Sequence, residues 1–196
     1  MPLRSVLEQD RIELVFSGTL RRTADYRMED ASAVVLGQIA ERITRRNRWA
    51  WGRGEPARPH VYEVTDASGA LVASSLSKGT WSSEVRGEIN DAHGVTVGRI
   101  SRPRRGPMFP LDVEGSGSVS GMQIIQRSRE SYAVQFVTRA GEQAAEIEPT
   151  GSSAHGWRHQ FLSYQVNFAS LSDRSHRIFV LGAFPILHMT YVAPRG

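Results

Sequence analysis

One pattern recurs along the chain and decides most of what it can fold into. Tyr62-Glu63-Val64-Thr65 leads into Asp66-Ala67-Ser68-Gly69, then Ala70-Leu71-Val72-Ala73. Gly87-Glu88-Ile89-Asn90 leads into Asp91-Ala92-His93-Gly94, then Val95-Thr96-Val97-Gly98-Arg99-Ile100. An earlier copy, Tyr26-Arg27-Met28-Glu29, leads into Asp30-Ala31-Ser32 and on through Val34-Val35-Leu36-Gly37-Gln38-Ile39. A fourth, weaker copy runs from Tyr132 to Val137, turns at Arg139-Ala140-Gly141 and continues to Ile147. Apolar and polar residues alternate on both sides of each turn, the period of a strand with one buried face. Asp can bond its own backbone two residues on, and Gly supplies the positive φ that closes a short hairpin. The first copy has no glycine after Ser32, so its turn is expected to be built differently. At least eight antiparallel strands follow, and a sheet that large curls into a barrel or packs as a sandwich.

The stretches between copies read as loops. Arg53 to Pro59 and Arg102 to Pro110 are rich in Pro and Gly, while Gly115 to Gly121 and Thr150 to Gly156 are rich in Gly and Ser. None is long enough to link two domains, so residues 1–196 are expected to form a single domain. Gln38 to Arg46 reads as a short helical turn or as the end of a strand. The run Ile178 to Val192 is apolar on every side and follows Ser172-Asp173, a good N-cap pair. A bilayer span needs about 20 apolar residues. This run is shorter and contains Pro185 and His188, so it is expected to be a helix buried inside the sheet, kinked or ended near Pro185.

Composition narrows the chemistry. The chain has no cysteine, which excludes a disulfide framework and a thiolate metal site and fits a reduced, cytoplasmic setting. Met1 to Asp10 has no apolar core and carries Arg4, Glu8 and Asp10, unlike a signal peptide. The formal net charge is +4, and Lys78 is the sole lysine, so the basic character is almost all arginine. Arginine favours planar, bidentate contact with phosphate and carboxylate. A genome that favours arginine codons would give the same bias, and charge alone is a weak guide to partners.

The order of these elements resembles the phospholipid scramblase and LURP-one-related family, which has a tubby-like fold. Three stretches carry the resemblance: Ile12-Glu13-Leu14 with the hairpin from Tyr26; the hairpin containing Gly94-Val95-Thr96-Val97-Gly98 and running to Arg102; and Tyr164-Gln165-Val166-Asn167-Phe168, Leu171-Ser172-Asp173 and Val180-Leu181-Gly182-Ala183-Phe184. The resemblance implies a mainly β fold, a closed antiparallel barrel of about twelve strands around a buried hydrophobic C-terminal helix. It also implies a lipid- or protein-binding role. The acidic calcium-binding segment of animal scramblases is absent: His159-Gln160-Phe161-Leu162-Ser163-Tyr164 offers no carboxylate, and a hard cation needs charged oxygen ligands.

Two basic clusters are the candidate binding residues. Arg45, Arg46 and Arg48 alternate with Trp49 and Trp51, a pattern that suits an anionic membrane surface, with indole at headgroup depth and guanidinium on phosphate. It also suits single-stranded nucleic acid, with bases stacked on indole. Equally, the tryptophans could fold back onto the barrel. Arg99, Arg102, Arg104 and Arg105 form a second cluster with no acid among them, a phosphate-binding rim or simply exposed arginines. His155 and His159 have helical metal-ligand spacing, but Gly156 argues against a helix and there is no third ligand. Gly115 to Gly121 lacks the phosphate-loop ending and the nucleophile-elbow spacing, and reads as a flexible loop. Asp30, Asp66 and Asp91 are accounted for by turn geometry, and His188 by a hydrogen bond in the core.

The expectation is a non-enzymatic, peripheral lipid- or membrane-binding domain at the inner face of a membrane, its basic loops on anionic phospholipid headgroups. No cofactor and no metal enter it. The alternative is a protein-interaction or nucleic-acid-binding scaffold. An enzyme is the least favoured class, because no convergent nucleophile, base and oxyanion set is visible.

Overall fold

The computed structural model describes residues 5–17, 25–42, 60–78, 85–102, 110–127, 133–155 and 158–192; the side chains of residues 78, 85, 102, 151–155, 158–162 and 189–192 are not described. Twelve antiparallel strands form a closed barrel in which each strand pairs with its neighbours in sequence and the first closes on the last. They are β1 (Arg11–Phe16), β2 (Tyr26–Glu29), β3 (Val35–Glu41), β4 (His60–Asp66), β5 (Leu71–Lys78), β6 (Val85–Asp91), β7 (Thr96–Arg102), β8 (Leu111–Gly115), β9 (Gln123–Gln126), β10 (Val134–Val137), β11 (Gln143–His155) and β12 (Arg158–Phe168). One α-helix, α1 (Arg174–Val192), follows.

The repeated units are hairpins built on one plan. The carboxylates of Asp30, Asp66 and Asp91 each accept two backbone N–H groups, from the residues two and four positions on, at 2.8–3.0 Å. The fourth turn uses Thr138 in the same place, its hydroxyl accepting from the Glu142 N–H at 3.3 Å. The third residue of each loop is left-handed: Gly69 at φ 83°, Gly94 at 78°, Gly141 at 83°. The first turn was expected to differ and does not. Ala33 takes the same left-handed position at φ 59°, and the Ala33 N–H bonds the Asp30 carbonyl as the Gly69 N–H bonds Asp66. A register shift accompanies each of the four turns, as a bulge at a three-residue loop requires.

Two other expectations change, and one left open between helix and strand is resolved. Thr150 to His155 belongs to β11, which pairs with β12 as far as His155↔Arg158 and has bulges at Pro149 and Gly151. Gln38 to Glu41 is strand; the rest of that stretch lies outside the described residues. Gly117–Val119 forms a 3₁₀ turn rather than a flexible loop, because Val119 is fully buried over the close-packed backbone of Gly98 and Gly115.

The helix fills the barrel. Its axis is about 28 Å long at 1.5 Å per residue, and Ile178 to Leu187 are all buried, with Gly182 so close to the wall that an added Cβ would abut Ile89. Asp173 caps it: its carboxylate accepts the His176 N–H at 2.9 Å. His176 completes the cap from inside, its Nδ1 3.3 Å from the Asp173 N–H and its Nε2 3.0 Å from the Ser118 carbonyl. Arg177 pins the same turn, reaching the Gln9 carbonyl and the Asp10 carboxylate, the latter at 2.6 Å, with its guanidinium 4.8 Å over the Phe168 ring. The helix neither ends nor breaks at Pro185 but continues to Val192. Among the described residues no helix is long and apolar enough to cross a membrane.

Candidate functional site

The meander gives the barrel two unlike ends. The connections β2–β3, β4–β5, β6–β7 and β10–β11 are tight, and the helix enters beside them. The connections β1–β2, β3–β4, β5–β6, β7–β8 and β9–β10 all leave and return at the opposite end, where the β11–β12 ribbon also extends. The helix finishes at that second end, the open end in the sense that its connections are long rather than tight.

Polar side chains gather inside this mouth. Tyr26 on β2 and Tyr164 on β12 converge on His188: the Tyr26 hydroxyl is 2.9 Å from Nε2, and the Tyr164 hydroxyl 2.9 Å from Nδ1. A neutral imidazole has one donor and one acceptor nitrogen, which two hydroxyls can complement. Phe184, one turn earlier on α1, meets both tyrosine rings edge-on, with centroids 4.9 and 5.0 Å away. Tyr62 on β4 stacks on His60, and His60 Nδ1 lies 2.7 Å from the Glu41 carboxylate. The Tyr62 hydroxyl and the hydroxyl of Ser75, its cross-strand partner, are buried with no hydrogen-bond partner among the described residues.

Burial sets the charge state of this cluster. It drives the Tyr26, Tyr62 and Tyr164 hydroxyls well above the ordinary phenol range, with Tyr164 and Tyr62 adding to the effect at Tyr26 and Glu41 at Tyr62. It lowers His188 to about 4. At neutral pH the ring and all three phenols are therefore uncharged, and Tyr26, Tyr164 and His188 hold the helix end as neutral hydrogen-bonding partners. Among the described residues no group of three or more His, Asp or Glu side chains is placed to hold a metal ion.

Arg45, Arg46, Arg48, Trp49, Trp51, Arg104 and Arg105 fall outside the described residues; Arg102 ends β7, its side chain not described. The chain leaves the barrel at Arg42 and returns at His60, and leaves at Arg102 and returns at Pro110, and all four points belong to the open end. Arg99, read as part of the second cluster, pairs across strands with Glu88 at 2.9 Å, so its charge is matched locally. His188 is the hydrogen-bonded core residue expected of it. The tyrosines around it went unread as a group, although Tyr26 and Tyr62 stand at the head of two repeat copies, a recurrence that marks both as inward-facing.

No protein-family model matches the chain, and no curated protein matches it. Among solved structures, the chain is similar to a protein from Arabidopsis thaliana determined by X-ray crystallography, at 11% identity and a TM-score of 0.49, over 94% of this chain and 92% of that one.

Proposed function

We propose that this protein is a non-enzymatic, peripheral lipid-binding domain of the scramblase and LURP-one-related type, which meets anionic phospholipid headgroups with the open end of its barrel at the inner face of a membrane. The supporting observation is that both basic clusters sit on connections anchored at that one end. Between Ile43 and Pro59 the chain carries five arginines and one glutamate, and between Pro103 and Phe109 two arginines and no acid. Clustered arginines gain roughly 1 kcal/mol each near an anionic surface, and interfacial tryptophan adds apolar contact at headgroup depth. The helix takes no part in this contact. It stays in the lumen, held by Arg177 at one end and by the Tyr26–His188–Tyr164 bridge at the other.

Flotation with neutral and anionic vesicles, at low and high salt, tests the reading. The protein is expected to float with anionic vesicles at low salt only, because salt screens exposed charge. The R45A/R46A/R48A variant is expected to stay at the bottom of the gradient, and neutral vesicles to leave the protein behind. Absence of flotation with anionic vesicles at low salt rejects the lipid reading, and retention on single-stranded nucleic acid in the same buffers would favour the scaffold alternative.

A further inference from the structure

We propose that the tight-turn end of the barrel is a docking face for the arginine- and tryptophan-bearing segment 43–53 of a second copy of this chain. The large apolar side chains most exposed among the described residues are Val34, Val35, Leu71, Val95 and Leu171, and all five lie at this end, with Val95 62% and Val34 54% exposed. Four of them sit on three consecutive hairpins. The hairpins are side by side, because β3 pairs with β4 at Gly37↔Asp66 and β5 with β6 at Ala73↔Asp91. Scattered apolar residues on a surface need no explanation; a rim that collects them at one end of a closed barrel does.

Charge says what would cover this rim. Residues 29–35, 66–71 and 91–96 contain no arginine or lysine, in a chain with 24 of them, and they carry Glu29, Asp30, Asp66 and Asp91. The three aspartates accept hydrogen bonds within their own turns, and those bonds hold Asp66 below the usual carboxylate range, that from the Ser68 hydroxyl foremost. An acidic, apolar rim repels an anionic membrane or nucleic acid and suits a cationic segment that also bears apolar side chains. Segment 43–53 has that chemistry: Arg45, Arg46, Arg48 and Arg53, Trp49 and Trp51, and no acid.

The segment's anchors, Arg42 and His60, are at the opposite end of its own barrel. To reach its own rim it would have to run the barrel wall twice, on the order of 20 Å each way at about 3.3 Å per residue, leaving little chain to make contact. A second copy needs no such detour. The contact is then heterologous, rim to segment, so copies join head to tail. Vesicles and self-association compete for the same arginines, but the two are separable, since self-association is measured without lipid.

Sedimentation velocity on two variants tests this. V34K/V95K changes exposed positions on the rim, and R45A/R46A/R48A changes the segment. The unaltered protein is expected to gain mass with concentration at low salt and to return to monomer at high salt. Each variant alone is expected to remain at least tenfold more weakly associated. An equimolar mixture is expected to form a one-to-one dimer and nothing larger, because one partner retains only a rim and the other only a segment. Unchanged circular dichroism and melting check that both variants fold. A monomeric unaltered protein at low salt, association of V34K/V95K as strong as that of the unaltered protein, or a mixture that stays monomeric would each overturn the proposal.

Discussion

Ala33 holds a left-handed backbone at φ 59° where three sister turns place glycine. An L-residue there costs about 1–2 kcal/mol, partly offset because glycine loses more freedom on folding. Ala33→Gly is therefore expected to stabilise the protein by about 0.5–1 kcal/mol, and Gly94→Ala to cost a similar amount, read from urea midpoints. His188 provides a second residue-scale expectation. Above its unfolded value of 6.5 the ring is neutral in both states and stability is complete. As pH falls from 6.5 towards 4, the unfolded chain takes up a proton that the folded chain, its ring buried, refuses, so stability falls through that window. The residue as a whole is half-buried, which limits the loss to about 1–3 kcal/mol. His188→Gln is expected to flatten the dependence, as measured by unfolding at pH 7 and pH 4.5. An equal slope in the variant would assign the effect elsewhere.

At the scale of elements, the helix and the wall are fitted to each other through positions without side chains. A Cβ at Gly98 would lie 2.7 Å from the Phe179 ring, one at Gly87 2.6 Å from Ile186, and one at Gly182 2.5 Å from Ile89. Gly98→Ala is expected to cost about 1–3 kcal/mol by overpacking, and Phe179→Ala about 3–5 kcal/mol by leaving a cavity, both measurable as shifts in thermal midpoint. The elements were largely legible. Alternation with Asp-Gly turns marked β4 to β7, and an all-round apolar run after Ser172-Asp173 marked the helix and its cap. The failures share a cause. Thr150 to His155 looks like a loop because Gly and Ser carry no alternation; only pairing with β12, distant from local composition, makes it strand. The turn at Ala33 looked irregular because residue type was read as deciding φ, whereas the Asp30 carboxylate and the strand pairing impose it. Of the two outcomes expected at Pro185, a kink or an end, the end does not occur, because burial of the residues on both sides of it holds the helix together.

The whole molecule is polarised along the barrel. One end has tight, acidic, partly apolar turns, and the other has long connections rich in arginine. Neither end could be assembled from the sequence alone, because strand parity, which follows from counting every strand correctly, decides which connections share an end. The mouth cluster was equally hidden: Tyr26 and His188 are 162 positions apart. Parity also places all four tryptophans, Trp49, Trp51, Trp81 and Trp157, on connections that begin and end at the open end. Tryptophan emission of the unaltered protein therefore reports on segments anchored at that end. The most direct measurement is tryptophan emission during titration with anionic vesicles containing brominated lipid, at low salt. The lipid-binding account predicts a blue shift together with quenching by the bromine, both reversed by high salt. Emission that neither shifts nor quenches while anionic vesicles are in excess would contradict it.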